Sequence, residues 1–453
     1  MSLPNYFLAD LPAEADLSPT MVTEACHTLR RNREKYLAGR STENLIRTLC
    51  KLGEEWLQPE FSFRKLALEQ GPEETGFSAA TLGNGLDSFF KQLTKENFEA
   101  LLEQDLGHGM RLEEIVATDA EEQTDRAAIA TAPELLAHIT AGDIPNATMN
   151  SIVLGLLLRS AQFVKCASGG SFLTRLFAHS LYEVEPKLGA CLEIAAWRGG
   201  STALEEPLFA QSDCVTAAGN DETLAAIQRR LPRRTRFVGY GHRVSFAFVT
   251  SAVLSGLNAR KVVERAAADV TAWNQLGCLS PHVIYVENGG KVLPEQFAAM
   301  LSEELARREE VEPRGELSVE AAAVISSRRS FYEVRAANSE ETRLWRSEDS
   351  TAWTVVYEND GRFQMSCLNR FIYVKSVEKL DEALAGADAV RDQVSTVGLA
   401  APEDKAQGLG TQLARWGVSR VCPLGKMQEP PLMWRHDGRL ALGELVRWTD
   451  WER

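Results

Sequence analysis

The sequence predicts an α/β protein in which largely parallel sheets are covered by helices on both faces. Three observations predict it. Short apolar runs of strand length alternate with helix-length stretches from about residue 132 onward, the pattern of βαβ units. The runs are almost continuously apolar rather than alternating, as strands buried on two faces are. Several of them run into a small-residue turn before the next helix.

The elements follow in order. Residues 1 to about 120 are charged and helical in pattern, with apolar residues three and four apart from Glu43 through Trp56 and from Leu86 through Leu106. Leu135–Thr140 reads as a buried strand, Ala141–Asn146 as its turn and Met149–Ser160 as a helix. Gln162–Cys166 is a second strand, running into Ala167-Ser-Gly-Gly-Ser171, with Phe172–Val184 as its helix. Ala190–Trp197, the pair Gly199-Gly200 and an exposed acidic helix form a third unit. Cys214–Ala218, the turn Gly219-Asn220 and the helix Asp221–Leu231 form a fourth. Phe237–Val244 reads as a strand and Gly-rich turn, Lys261–Trp273 as a helix, Gln275–Pro281 as a loop and His282–Glu287 as a strand. Glu295–Glu309 and Leu317–Tyr332 read as surface helices, Trp353–Tyr357 and Phe371–Val377 as β structure. Residues from Gly417 to Glu452 are rich in Pro and Trp and read as irregular.

The 453 residues exceed one simple core, so two or three domains are expected. The formal net charge of −14 argues against general nucleic-acid binding. No apolar stretch reaches the ~18 residues of a membrane span, and Met1-Ser-Leu-Pro-Asn5 has no basic leader. Arg229, Arg230, Arg233, Arg234 and Arg236 crowd around Leu231-Pro232. They read as a solvated helix end, or as a dock for an anionic cofactor or carrier. The eight cysteines contain no CxxC pair, which fits reduced, cytoplasmic thiols better than a zinc ribbon or disulfide framework.

Three places carry candidate chemistry. Cys278 follows a glycine on a loop between a helix and a buried strand, where backbone N–H groups lie ready for an oxyanion; the alternative is inert packing. Lys165 ends an apolar strand where open α/β sheets bind ligands, and reads either as a ribose or phosphate contact or as a solvated lysine. Gly219-Asn220-Asp221 opens a helix whose N–H groups suit a pyrophosphate, although Asp221 and Glu222 serve equally as capping acids. A GxGxxG fingerprint is missing, and Gly239-x-Gly241 is a weaker signal. No His/Asp ligand cluster calls for a metal.

Three strings occur in this order: Phe163-Val-Lys-Cys-Ala-Ser-Gly169, Arg236-Phe-Val-Gly-Tyr-Gly-His-Arg-Val-Ser-Phe246 and Gln275-Leu-Gly-Cys-Leu-Ser-Pro281. Together they resemble the aldehyde dehydrogenase superfamily, and more closely its LuxC-like acyl-CoA reductase family. The resemblance runs from about Ile139 to Glu287, with a further similar tail from Pro423 to Trp448. It implies a nucleotide-binding domain and a catalytic domain, each with a largely parallel sheet flanked by helices. The organisation expected is a helical part over 1–120, a dinucleotide-binding domain over 121–250, a catalytic domain over 251–410 and a closing segment over 411–453.

Carried over by position, Cys278 matches the acyl-accepting nucleophile, Lys165 the lysine that holds the adenosine ribose, and Gly219 and Asn220 the pyrophosphate turn. Ser168 falls where NAD-preferring members place a glutamate, which leans the cofactor toward NADPH, with NADH as the alternative. Gly239 stands in for the general-base glutamate of oxidising members, which favours reduction of a bound thioester over its hydrolysis. Asp143 stands where an oxyanion-stabilising asparagine is usual. His242 and His282 are candidate proton donors, with structural roles expected for both. The function implied is reduction of a fatty acyl thioester to an aldehyde through an acyl-cysteine. The substrate partner implied is acyl-CoA or an acylated carrier or synthetase protein, and the chain is expected to form a homo-oligomer. The alternatives are a CoA-acylating aldehyde dehydrogenase and a catalytically silent acyl-binding subunit.

Overall fold

The computed structural model describes residues 3–12, 14–140, 142 and 144–452. They form two compact units: Met1–Thr75, Leu86–Gly241 and Pro431–Arg453 make the first, and Gly76–Gly85 with His242–Pro430 the second.

The first unit begins with helices shaped by amphipathic spacing. Thr42–Leu57 buries Leu45, Leu49, Leu52 and Trp56, and Ser41 caps its start by accepting the Asn44 N–H at 3.3 Å. Downstream come β1 (Arg126–Thr131), β2 (Leu135–Ile139), β3 (Ala161–Cys166), β4 (Leu192–Ala196), β5 (Cys214–Ala218) and β6 (Arg236–Tyr240). The sheet order is β4-β3-β2-β5-β6, parallel throughout. The chain winds outward from β2 through β3 to β4, then crosses to β5 and β6. The carboxyl end of β2 is therefore the switch point where such sheets bind ligands.

A polar layer crosses this sheet. His138 on β2 bridges Thr216 Oγ1 at 2.7 Å and Gln162 Oε1 at 2.9 Å. Burial pulls its pKa down to about 4, so the ring is neutral. Gln162 also donates to the Ile152 carbonyl at 3.0 Å, which Gly155 permits: a Cβ there would meet the Gln162 carboxamide at 2.4 Å.

The second unit holds β7 (Val244–Val249), β8 (Pro281–Glu287), β9 (Thr342–Arg346), β10 (Thr354–Glu358), β11 (Phe371–Val377), β12 (Val394–Ala400) and β13 (Arg420–Pro423). Their order is β13-β12-β7-β8-β11-β10-β9, and β9 alone among them runs antiparallel to its neighbour. Helices Gly256–Thr271 and Pro294–Val311 pack Val263, Val270, Phe297 and Leu301 on one face; Phe246, Tyr285, Tyr332 and Tyr373 fill the other. The last strand, β14 (Arg447–Glu452), belongs to the first unit, where it pairs antiparallel with β1, its six residues exposed.

Several expectations need correction. Val244–Val249, read only as the end of a turn and beyond, is the inner strand β7, buried at every position. A hexamer that is apolar but for Ser245 and buried at every position gives no polar alternation to read. The segment Leu86–Leu106 spans two helices, Ala79–Phe90 and Lys95–Leu106, the second capped by Thr94. The tail after Gly417 contains β13 and β14. β13 is only four residues long and joins the preceding strand β12, while β14 takes its pairing from β1, more than three hundred residues earlier, so local pattern is silent on it. The helix Thr202–Gln211 is not simply exposed and acidic, because Glu205 is buried and holds Arg230. Among the described residues, no helix is long and apolar enough to cross a membrane.

Candidate active site

Cys278 lies on a tight turn of the second unit in which the Ser280 N–H donates to the Gly277 carbonyl at 2.9 Å. The turn is held from three sides. Ser245 on β7 donates its hydroxyl to the Cys278 carbonyl at 2.7 Å, and accepts the Thr396 N–H of β12 at 3.2 Å. The Gln428 carboxamide donates to Ser280 Oγ and lies on Gly277, where a Cβ would come within 2.5 Å of it. Gln275 donates to the Pro281 and Phe371 carbonyls at 2.7 and 3.0 Å. Both backbone flanks of the cysteine are thereby fixed.

The approach to the turn is unusual. Trp273, Asn274 and Gln275 have φ of 49°, 51° and 65°, three left-handed residues in a row, none of them glycine. Each costs roughly 1–2 kcal/mol against right-handed backbone. A second such run, Leu368, Asn369 and Arg370 at 60°, 55° and 65°, lies against it. The Asn274 carbonyl accepts the Asn369 N–H at 2.9 Å, and its side chain accepts from Arg370 Nε at 3.1 Å and donates to the Arg314 carbonyl at 2.7 Å.

All eight cysteines are among the described residues, and Cys278 is the one that is exposed. Burial pushes the thiols of Cys26, Cys191, Cys214 and Cys422 up to about 12 and those of Cys50 and Cys166 up to about 11, and raises that of Cys367. Those seven are thiols at neutral pH, and a thiol is a poor nucleophile.

His282 is buried at the start of β8, and its Nδ1 accepts the Ser366 N–H at 3.1 Å. Burial, with a smaller contribution from His242, pulls its pKa down to about 4. It is a neutral structural histidine. His242 is exposed.

In the first unit Lys165, Ser168, Gly219 and Asn220 gather at the carboxyl ends of β3 and β5, flanking β2. Lys165 is 3% exposed, and its ammonium has no hydrogen-bond or ion-pair partner among the described residues. Burial lowers its pKa, with the Glu205 carboxylate opposing. Glu205 is itself occupied by Arg230 and by the Gly200 N–H at 2.9 Å. A lysine with its stem buried at a strand end, and no partner for its ammonium among the described residues, suits a ligand bearing phosphate or hydroxyl oxygens. Ser168 is exposed beside Gly169. The Gly219 N–H donates to the Tyr240 carbonyl at 3.1 Å, and Asn220 caps the helix Asp221–Arg230 through the Thr223 N–H at 2.8 Å. A cleft lined by Thr140, Gly142, Ile144, Thr148, Gly169 and Gly170 opens at the same end.

Gly239 sits within β6, where a Cβ would meet the Phe237 ring at 3.0 Å. Its carbonyl accepts from Arg439 at 2.8 Å, and Tyr240 stacks on His436 at 4.2 Å. The arginine cluster is largely structural: Arg230 pairs with Glu205, Arg234 donates to the Ala210 carbonyl, and Arg236 donates to the Glu444 and Val446 carbonyls. Asp143 lies outside the described residues. Sequence reasoning gave no role to Ser245, Asn274 or Gln428. Ser245 stands in one of the strings quoted above, but neither a serine nor a glutamine signals which distant turn it will hold.

Residues 37–448 match the family model described as acyl-CoA reductase (LuxC). The chain is 24% identical over 319 residues to the long-chain acyl-protein thioester reductase of Vibrio harveyi, covering 70% of this chain and 64% of that one. It is 21% identical over 419 residues to the enzyme of the same name from Photorhabdus laumondii, covering 90% and 82%. The chain thus spans less than two thirds of the length of the Vibrio harveyi relative. Among solved structures, the fold is similar to that of Delta-pyrroline-5-carboxylate dehydrogenase from Mycobacterium tuberculosis (TM-score 0.68, 12% identity, 97% of this chain and 83% of that one). A lactaldehyde dehydrogenase superposes with a TM-score of 0.68 at 14% identity, covering 96% and 92%. The fold is therefore aldehyde-dehydrogenase-like, and the match over most of its length makes this chain a member of the acyl-CoA reductase (LuxC) family.

Proposed function

We propose that this protein reduces a fatty acyl thioester, carried on CoA or on a protein, to a fatty aldehyde with NADPH, through a thioester on Cys278. The observation that carries the reading is the exposure of Cys278, unlike the seven other cysteines, on a turn braced by Ser245 and Gln428. Membership in the family, and the acyl-protein thioester reductases among its relatives, support the substrate class.

The Cys278 thiolate attacks the acyl carbon, the bond from that carbon to the donor sulfur breaks, and the donor thiolate leaves and takes a proton. The Cys278 N–H is the backbone donor for the transient oxyanion. At 239 the chain has glycine, so that position offers no carboxylate to draw water onto the thioester, which prolongs its life. Lys165 would hold the adenosine ribose or its phosphate, the turn at Gly219 and Asn220 that opens the following helix would take the pyrophosphate, and Ser168 would tolerate a 2′-phosphate that a glutamate would repel. When bound, the dihydronicotinamide supplies a hydride to the acyl carbon. Cys278 then leaves as thiolate, releasing the aldehyde.

The test is to incubate the protein with radiolabelled long-chain acyl-CoA, and separately with an acylated carrier protein, and to map the label. Label on Cys278 that NADPH discharges as aldehyde is expected, with none on C278A. Stable label that NADPH leaves in place, or aldehyde formation by C278A, would overturn the proposal.

A further inference from the structure

We infer that Gln428 is a positioning residue for the nucleophile turn, acting through Ser280; this rests on Cys278 being the acyl acceptor. The loop that follows β13 is fixed by a buried carboxyl and a buried guanidinium. Asp269, 2% exposed near the end of helix Gly256–Thr271, accepts the Gly425 N–H at 2.6 Å and the Met427 N–H at 2.9 Å. Arg420 on β13 donates to the Met427 carbonyl at 2.6 Å and the Lys426 carbonyl at 2.8 Å. Gly425 has φ of +90°, and a Cβ there would strike Arg265 at 2.9 Å. Met427 is buried against Gly398 of β12, where a Cβ would meet its sulfur at 2.6 Å.

Between that anchor and the solvated Glu429 stands Gln428, and its side chain meets the cysteine turn. It donates to the buried Ser280 Oγ and covers Gly277, the two residues that close the turn by their own hydrogen bond. The same helix that carries Asp269 leads through the left-handed run into Cys278. Two neighbouring parts of the chain thus fix the loop and the turn in one frame, with Gln428 as the link. With that link gone, Ser280 and Gly277 lose one wall, and the Cys278 N–H and thiol lose their set direction. Misplacing a reacting group by about 1 Å costs on the order of a hundredfold in rate.

The experiment is a double-mutant cycle on the full chain with Q428A, S280A and the double variant. Three readouts are followed: single-turnover release of thiol from acyl-CoA, the steady-state kcat and KM for acyl-CoA, and alkylation of Cys278 by iodoacetamide, followed by mass spectrometry. Each single variant is expected to slow thiol release about tenfold through kcat, with KM within about twofold, and the double variant to be no slower than the worse single. Unchanged thiol release in Q428A or S280A, or losses that multiply in the double variant, would overturn the inference. S280A removes one hydroxyl and keeps the test open should Q428A fail to fold. Absence of acyl transfer by the unmutated protein would instead refute the function, and the alkylation arm then decides the positioning role alone: the same slowing and non-multiplication are expected there.

Discussion

Ser245 and Cys278 are joined by one short hydrogen bond, hydroxyl to carbonyl at 2.7 Å, that ties the peptide of Cys278 to the inner strand of its sheet. Ser245 is fully buried and also receives the Thr396 N–H, so S245A would orphan a donor and an acceptor together. The expected cost is roughly 1–3 kcal/mol of stability, read from urea unfolding, with slower acylation of Cys278 in a thiol-release assay. S245A with wild-type acylation would show the carbonyl contact to be dispensable.

The pairing of two left-handed runs through Asn274 makes that residue a structural keystone. N274A removes its contacts to Arg370 and to the Arg314 carbonyl, and substitutes a residue less suited to positive φ. A loss of about 2–4 kcal/mol is expected. Thermal denaturation measures it, and a change within about 0.5 kcal/mol, the range of featureless surface sites, would contradict it.

Under the proposed function, Lys165 is expected to affect cofactor binding and not acylation. K165M should weaken NADPH binding about tenfold or more, the worth of one charge-assisted hydrogen bond. Labelling of Cys278 by acyl-CoA should stay as in the wild type. Fluorescence titration of NADPH and the labelling assay read the two effects separately, and equal NADPH affinity in K165M would remove the lysine from the site.

Glu193 on β4 gives a pH signature. Burial raises its pKa to about 8, against hydrogen bonds from the Leu8 and Ile194 N–H groups that favour ionisation. The folded state therefore keeps a proton that the unfolded chain releases near its ordinary value, and Glu193's contribution to stability is lost as pH rises toward 8. E193Q stays neutral and removes that dependence. Its melting temperature relative to wild type should move upward between pH 5 and pH 8; no movement would contradict the raised value.

His282 should leave no imprint on the acid limb of the rate profile, because its ring is neutral above about pH 4. H282Q is expected to keep the wild-type shape of log kcat/KM against pH between 5 and 8. Loss of a limb in that range would restore the histidine as a proton carrier.

The parallel sheet of the first unit was legible because each strand is a short apolar run closed by small residues, and Cys214–Ala218 and Phe371–Val377 were read at the bounds the structure shows. Strand β7 was not, since Val-Ser-Phe-Ala-Phe-Val follows a glycine-rich turn without a break that local pattern marks. Cys278 drew attention through its Gly neighbour and the family strings. Its braces did not, because Ser245, Asn274, Thr396 and Gln428 come together through sheet order and backbone shape, which no window of residues encodes.

The bracing of the cysteine turn by residues 396 and 428 has a consequence for biosynthesis. Chains emerge amino end first, so Cys278 leaves the ribosome well over a hundred residues ahead of its last support. A nascent chain exposes this sulfur while the frame that aims it does not yet exist. Acyl donors in the surrounding medium would therefore meet an unbraced cysteine until residue 428 has been made.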